Sequence, residues 1–328
     1  MLLSIIIPTY NSANYLLRCV KSTEIIKNYP VEIVIVDDGS TDDTAECVTA
    51  MIGCGYNIIY IYQNNNGPGY ARNAGIKASS GKYITFIDAD DTYDDKQLLK
   101  LLSSIEGINS EFDIICFGYR MIGVNGSEVD CLKYINSDFI NPLGVYLKNG
   151  NIKDVVWNKI YKSKLVKNND ILFPKLNARE DSIFNIRAFS NARKLKLYDG
   201  VVYIHRSENI NSLSANFSIK SMLEVCKSIE LEYEAICSSV GHFEGVKKFN
   251  SRAFKVYMYA FIFFLQKEIF CDKAELDKNR ENLLNLISNF DIGWRGKIMH
   301  WVTRISLASN LFLTLSSRIS KIFVKFSH

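Results

Sequence analysis

The stretch Gly81-Lys82-Tyr83-Ile84-Thr85-Phe86-Ile87-Asp88-Ala89-Asp90-Asp91 decides the fold. Tyr83–Ile87 is short, aromatic and β-branched, and the acids after it cannot continue a buried run, so the segment predicts a buried strand closed by an acidic turn. Three upstream runs have the same form: Leu2–Ile7 ending at Pro8, Glu32–Val36 ending in Asp37-Asp38-Gly39-Ser40, and Asn57–Tyr62. Helical patterns fall between them. Ala13–Lys27 is amphipathic, Asp42–Ile52 follows Ser40 and Thr41 as caps, Pro68–Ala78 has proline at its start, and Asp94–Ile105 has acids in its first turn. Strands alternating with helices predict an α/β fold: a Rossmann-like, mostly parallel sheet with helices on both faces. In such sheets ligands bind beyond the carboxyl ends of the strands. Those ends carry Thr9-Tyr10-Asn11, Asp37-Asp38, Gln63–Gly67 and Asp88–Asp91, so polar groups from four strands converge on one edge.

From about residue 112 the pattern loosens. Phe112–Met121 and Leu197–His205 predict two more strands, and the chain reads as helical after about 218. The expected organisation is a domain over 1–217, with halves of about 1–110 and 111–217, followed by a helical region over 218–328. A chain of 328 residues with 48% hydrophobic and 23% charged residues excludes disordered and collagen-like classes. A net charge of +4 is too small to argue for nucleic acid as a partner. The charge is unevenly placed: acids outnumber bases over 1–100, and bases outnumber acids over 218–328. Eight scattered cysteines without a CxxC pair argue against zinc and read as free thiols of a reducing cytoplasm. The N-terminal run leads straight into Pro8, so no secretory signal is expected. The longest apolar runs, Val256–Leu265 and Ile305–Ser317, are too short to cross a bilayer.

Particular residue types point to chemistry. Asp38, next to Asp37 before a turn, is placed to accept a hydrogen bond from a base or ribose. Three carboxylates within Asp88-Ala89-Asp90-Asp91 repel one another unless a cation intervenes, and hard oxygen donors suit Mg2+ or Mn2+ completed by substrate phosphates. The loop Asn66-Gly67-Pro68-Gly69-Tyr70-Ala71-Arg72-Asn73 is not a dinucleotide fingerprint, because Arg72 stands at the third glycine position and the loop follows the third strand. Arg72 and Asn73 lie one turn into the helix, within reach of a nucleotide.

Ser4-Ile5-Ile6-Ile7-Pro8-Thr9-Tyr10-Asn11, Val36–Thr44, Gly67–Ile76 and Gly81–Asp91, in this order, resemble the family 2 glycosyltransferases of the GT-A fold. The resemblance implies a nucleotide-sugar donor, usually UDP-linked. Pro8, Thr9 and Tyr10 would line the uracil pocket, Asp38 would bond the uracil, and Arg72 and Asn73 would sit near base, ribose or diphosphate. Asp88 and Asp90 match the DXD element that grips ribose and metal–diphosphate. Asp91 is an extra acid that also carries the metal contact in some members, so the direct ligand among the three stays open. Arg179-Glu180-Asp181 resembles the family's Glu-Asp motif, with Asp181 as the base that deprotonates the acceptor hydroxyl and Glu180 on a sugar hydroxyl.

Trp157-Asn158-Lys159 resembles a further segment of these enzymes. Trp157 offers either a face for a pyranose ring or a core side chain, and Lys159 either a diphosphate contact or a surface charge. His205 and Arg206, with Ser212 and Ser214 behind them, resemble the loop that folds over the diphosphate, where positive charge would stabilise departing UDP. Beyond Ile292 the chain has bases, Trp and Phe but no acid, the composition of a helix that docks on a membrane surface. The resulting expectation is an inverting, metal-dependent glycosyltransferase of bacterial capsule or O-antigen synthesis. It would act on a glycan or polyprenyl-linked acceptor from the inner face of the plasma membrane. A nucleotidyltransferase would show a glycine-rich basic loop after the first strand, where Pro8–Asn11 stands instead. A non-catalytic membrane adaptor has no use for intact Asp38, Asp88, Asp90 and Asp181.

Overall fold

The computed structural model describes residues 1–27, 29–106, 112–148, 152–176 and 179–206, and a few helical positions between 224 and 236. The chain divides into two compact units, Met1–Ala215 and Asn216–His328. Ser212, Ser214 and the basic C-terminal segment lie outside the described residues.

In chain order the first unit runs β1 (Leu3–Thr9), α1 (Ala13–Lys21), a 3-10 turn (Glu24–Ile26), β2 (Val31–Asp37), α2 (Thr44–Gly53), β3 (Ile58–Tyr62), α3 (Pro68–Ala78) and β4 (Tyr83–Phe86). It continues with β5 (Thr92–Tyr93), α4 (Asp95–Glu106), β6 (Ile114–Ile122), β7 (Glu128–Leu132), β8 (Ser137–Phe139), α5 (Pro142–Lys148), β9 (Lys159–Lys162), α6 (Ser163–Asn168), α7 (Glu180–Asn191) and β10 (Leu195–Arg206). One sheet joins all the strands in the order β3-β2-β1-β4-β9-β6-β10-β5, with β7 on β6 and β8 on β10. The first four are parallel, as the alternation of elements predicts. Past β4 the sheet is mixed, because β9 runs antiparallel to both β4 and β6 while β10 is parallel to β6.

The side-chain alternation of β1 separates two cores. Leu3, Ile5 and Ile7 join Leu16, Cys19 and Val20 of α1, Val48 and Met51 of α2, and Leu98, Leu101 and Leu102 of α4. Ile6 points the other way, against Gly75 of α3, where an added Cβ would stand 2.4 Å from Ile6 Cγ2. Its partner in register, Phe86, meets Phe173 and Phe184 edge-on at 5.5 and 5.7 Å, and those two rings stack at 4.2 Å. Each such ring buried from water stabilises the fold by about 1.5–3 kcal/mol, and this packing brings α7 towards the end of β4.

The helix expected from Ala13 to Lys27 stops at Lys21 and continues only as the short 3-10 turn. The start of α2 also differs from expectation. Ser40 accepts from Asn11 N, Thr41 N donates to Asn11 Oδ1, and it is Asp42 Oδ1 that receives Thr44 N. The caps expected at α2 therefore bind the loop after β1 to the loop after β2.

Candidate active site

At the carboxyl edge of the parallel strands, two clusters form around charged side chains. The first centres on Asp38, which is 4% exposed. Its Oδ1 accepts from Gln63 Nε2 at 2.7 Å and Asn66 N at 3.0 Å, and its Oδ2 from Gly67 N at 2.7 Å. Gly67 has φ +91°, a left-handed conformation that suits glycine, and Pro68 follows at the first position of α3. Asp38 thus fixes the turn that launches α3. Thr9 is buried and its carbonyl accepts Asp38 N, Pro8 is half-buried, and Tyr10 is exposed at the rim.

The second cluster centres on Arg72, one turn into α3 and 5% exposed. Its Nη2 donates to Asp88 Oδ1 at 2.9 Å, and its Nη1 to Glu180 Oε1 at 3.2 Å and Asp181 Oδ1 at 3.3 Å. One guanidinium therefore joins the acid after β4 to both acids in the first turn of α7. Its carbon lies 5.4 Å from the Phe173 ring centre. Burial alone would depress the guanidinium, but the three carboxylates outweigh it and hold Arg72 charged. Asp181 carries a strongly perturbed carboxyl. Burial raises its carboxyl against the pull of Arg72, Glu180 and Asp88 add to the rise, and it reaches about 7. A carboxyl near neutrality, ionised beside a cation, is a competent general base. Val156 N donates to Asp181 Oδ2 at 3.1 Å and fixes its orientation.

Of the three acids expected to share a cation, Asp91 is turned inward and fully buried. Its Oδ2 accepts from Tyr203 OH at 2.5 Å and pairs with His205 Nδ1 at 3.0 Å, and its Oδ1 accepts Arg206 N at 2.7 Å. Both its oxygens are engaged, which leaves Asp88 and Asp90, both half-buried at the edge, as the acids facing outward. Among the described residues no three His, Cys, Asp or Glu side chains close into a metal cage. Within the second cluster Asp88, Glu180 and Asp181 outnumber Arg72, and Arg18 adds a further guanidinium that donates to Asp90 O at 3.1 Å. Asp88 and Asp90 are hard oxygen donors of the kind that suit a divalent cation completed by phosphate oxygens.

Three expected contacts are spent on the fold. Lys159 is fully buried, so it is neither a surface charge nor open to a diphosphate. Its Nζ donates to Lys153 O at 2.8 Å, Val155 O at 2.5 Å and Asn158 Oδ1 at 2.7 Å. Asn73 exchanges two 2.9 Å bonds with the backbone of Phe173. Trp157 is a core side chain: it stacks on Tyr203 at 4.3 Å, meets Tyr119 edge-on at 5.0 Å and lies parallel to His205 at 5.9 Å. The residues that sequence reasoning missed are Tyr203 and Asn185, whereas Gln63 lies in the expected strand-end loop. Tyr203 was within reach of it, since it lies two positions before His205 on a strand and therefore on the same face.

A sheet of this order, with acids after β4 facing the start of α7, has the GT-A architecture. The crystal structure of Staphylococcus aureus TarS 1-349 in complex with UDP-GlcNAc superimposes with a TM-score of 0.71 at 24% identity, over 88% of this chain and 81% of that one. The family model described as glycosyl transferase family 2 matches residues 4–161. The glycosyltransferase EpsJ of Bacillus subtilis (strain 168), itself uncharacterized, is 30% identical over 248 residues, 74% of this chain and 70% of EpsJ. The chain belongs to glycosyltransferase family 2. It is also 30% identical over 239 residues to the poly(ribitol-phosphate) beta-N-acetylglucosaminyltransferase TarS of Staphylococcus aureus (strain Mu50 / ATCC 700699). That match takes in 71% of this chain but only 40% of TarS.

Proposed function

We propose that the protein transfers a sugar from a UDP-sugar to a hydroxyl of a cell-surface glycopolymer, with inversion at the anomeric carbon. The observation that carries this reading is the shared guanidinium of Arg72, which brings the acid at the end of β4 and the acids of α7 to one opening. The printed activity of TarS and the UDP-GlcNAc in its crystal structure support the donor class.

The base end of the donor would lie against half-buried Pro8 and exposed Tyr10, over a turn that buried Thr9 and Asp38 hold in place instead of Asp38 bonding the uracil directly. Asp88 and Asp90 would hold Mn2+ or Mg2+ together with the diphosphate, and the ion, when bound, supplies charge neutralisation to the leaving group. Asp181 accepts the proton of the acceptor hydroxyl, which attacks the anomeric carbon from the side opposite the diphosphate. Arg72 keeps Asp181 ionised and in place, and Glu180 orients a sugar hydroxyl. His205, fixed by Asp91, and Arg206 bring positive charge to departing UDP. The acceptor class we favour is a glycan or polyprenyl-linked glycan presented at the cytoplasmic leaflet, as in capsule or O-antigen assembly, with the basic C-terminal segment docking on the membrane. Among the described residues no helix is long and apolar enough to cross one.

The test is UDP release with Mn2+ across a panel of UDP-sugars, for wild type and Asp181→Asn in parallel. The expected result is turnover of one donor by wild type, reduced about 10^2–10^4-fold in Asp181→Asn with UDP affinity retained. Failure of UDP to bind with or without Mn2+ would refute the donor assignment.

A further inference from the structure

Lys159 is a buried ammonium that touches none of the residues placed on the donor, yet its three protons all have acceptors in good geometry. Two of those acceptors, Lys153 O and Val155 O, belong to the backbone just before Val156. The next N–H, that of Val156, is the one that holds Asp181 Oδ2. The same backbone is also held by α7. Asn185, one turn after Asp181 on the same helix face, donates its Nδ2 to Asp154 O and, at 3.3 Å, to Val155 O. Its Oδ1 accepts from Tyr161 OH of β9 at 2.7 Å. Segment 153–156 is therefore held between an ammonium on β9 and two side chains on α7, and one of those two is the candidate base.

From this geometry we infer that Lys159 is a positioning residue for the transfer step: it fixes segment 153–156 so that the Val156 amide presents Asp181 to the acceptor. A buried lysine is costly, since burial pushes its ammonium down from its ordinary value. Lysine supplies three donors from one fully buried position, which no neutral aliphatic side chain does. The inference rests on the reading of Asp181 as the base, and misplacement of such a group by about 1 Å costs on the order of 10^2-fold in rate.

The experiment is a double-mutant cycle on UDP-sugar turnover with wild type, Lys159→Met, Asp181→Asn and the double variant, with UDP affinity and thermal midpoint measured for each. The expected result is that Lys159→Met lowers kcat about 10–100-fold, leaves UDP affinity within about twofold, and causes no further loss in the Asp181→Asn background. Asn185→Ala removes the hold from α7 and runs the same cycle if Lys159→Met does not accumulate as folded protein. An equal loss in both backgrounds, or loss of UDP binding together with turnover, overturns the positioning role while leaving Asp181 as the base. Full activity of Asp181→Asn alone overturns the base assignment, and with it this inference.

Discussion

Replacing Arg72 by Met keeps an unbranched chain beside Phe173 but removes the charge that Asp88, Glu180 and Asp181 share. The guanidinium contacts lie at 2.9, 3.2 and 3.3 Å, and its side chain is only 6% exposed. Each contact is worth about 5–6 kcal/mol gross at these distances and an effective dielectric constant of about 20. Most of that gross attraction offsets the cost of burying the charges, and removing one partner of such a buried arrangement costs a net of about 3–5 kcal/mol. Protonation limits the loss. Asp181 already reaches about 7 with the cation beside it, so without the cation its carboxyl rises further and carries a proton at neutral pH. A native carboxyl raised above its unfolded value binds more protons than the unfolded chain, so stability falls as pH rises through that window. In wild type the window ends near 7, and in the variant it extends higher. The deficit of Arg72→Met must therefore grow between pH 6 and pH 8.5, towards the full 3–5 kcal/mol at the alkaline end. Urea unfolding at the two pH values measures it. A deficit equal at both, or larger at pH 6, would refute the account of Arg72 as a charge hub.

Three further outcomes follow from other parts of the molecule. With Asp181 as the base, kcat/KM for the donor falls on the acid side with a midpoint near pH 7, set by burial of that carboxyl, and a flat profile from pH 5.5 to 8 contradicts the assignment. Gly75→Ala forces a methyl group onto Ile6 and costs about 1–3 kcal/mol despite the better helix propensity of alanine; chemical denaturation should show that Ile6→Ala recovers part of the loss. Glu32 accepts from Ser4 Oγ at 2.6 Å, Ser80 N at 2.5 Å and Ser80 Oγ at 2.8 Å. Although burial opposes ionisation, these bonds hold its carboxyl below the ordinary value. Glu32→Gln should lower stability by about 1–3 kcal/mol at pH 7, with the deficit shrinking as pH falls through the carboxylate range. Because this network sits at the amino end of the strands, UDP affinity should not change, and a joint loss would count against the separation of lock and site.

How far the sequence discloses the molecule depends on where each partner lies in the chain. β1, β2 and β4 are short, mostly apolar runs with Pro8, Asp37 and Asp88 at or just past their ends, and α3 occupies the predicted Pro68–Ala78 because proline marks its first position. β5 and β9 have two and four residues, too few for a period to register, and they exist only because β10 and β4 pair with them. Lys159 reads as a surface charge because lysine is rarely buried, and its cage comes from a loop with no pattern of its own. Asp88 stands out by type and spacing, whereas Glu180 and Asp181 are picked out only by the family resemblance and read otherwise as an ordinary acidic helix start. That they meet at Arg72 depends on α7 packing back over β4 through Phe86, Phe173 and Phe184, a contact that local patterning does not contain.

The place of β10 bears on how the molecule is made. It is the last strand among the described residues of the first unit, yet it lies inside the sheet between β6 and β5, with Tyr203 and His205 closing on Asp91 across more than a hundred residues. A chain emerging from the ribosome carries Asp91 long before its partners exist, with a slot in the sheet still to be filled. Pairings of such sequence separation form slowly, and a nascent chain that folds from its N-terminus reaches them last. The anchoring of Asp91 therefore arrives as a late event, so a truncation before about residue 206 should yield a partly built sheet in which Asp91 lacks Tyr203 and His205.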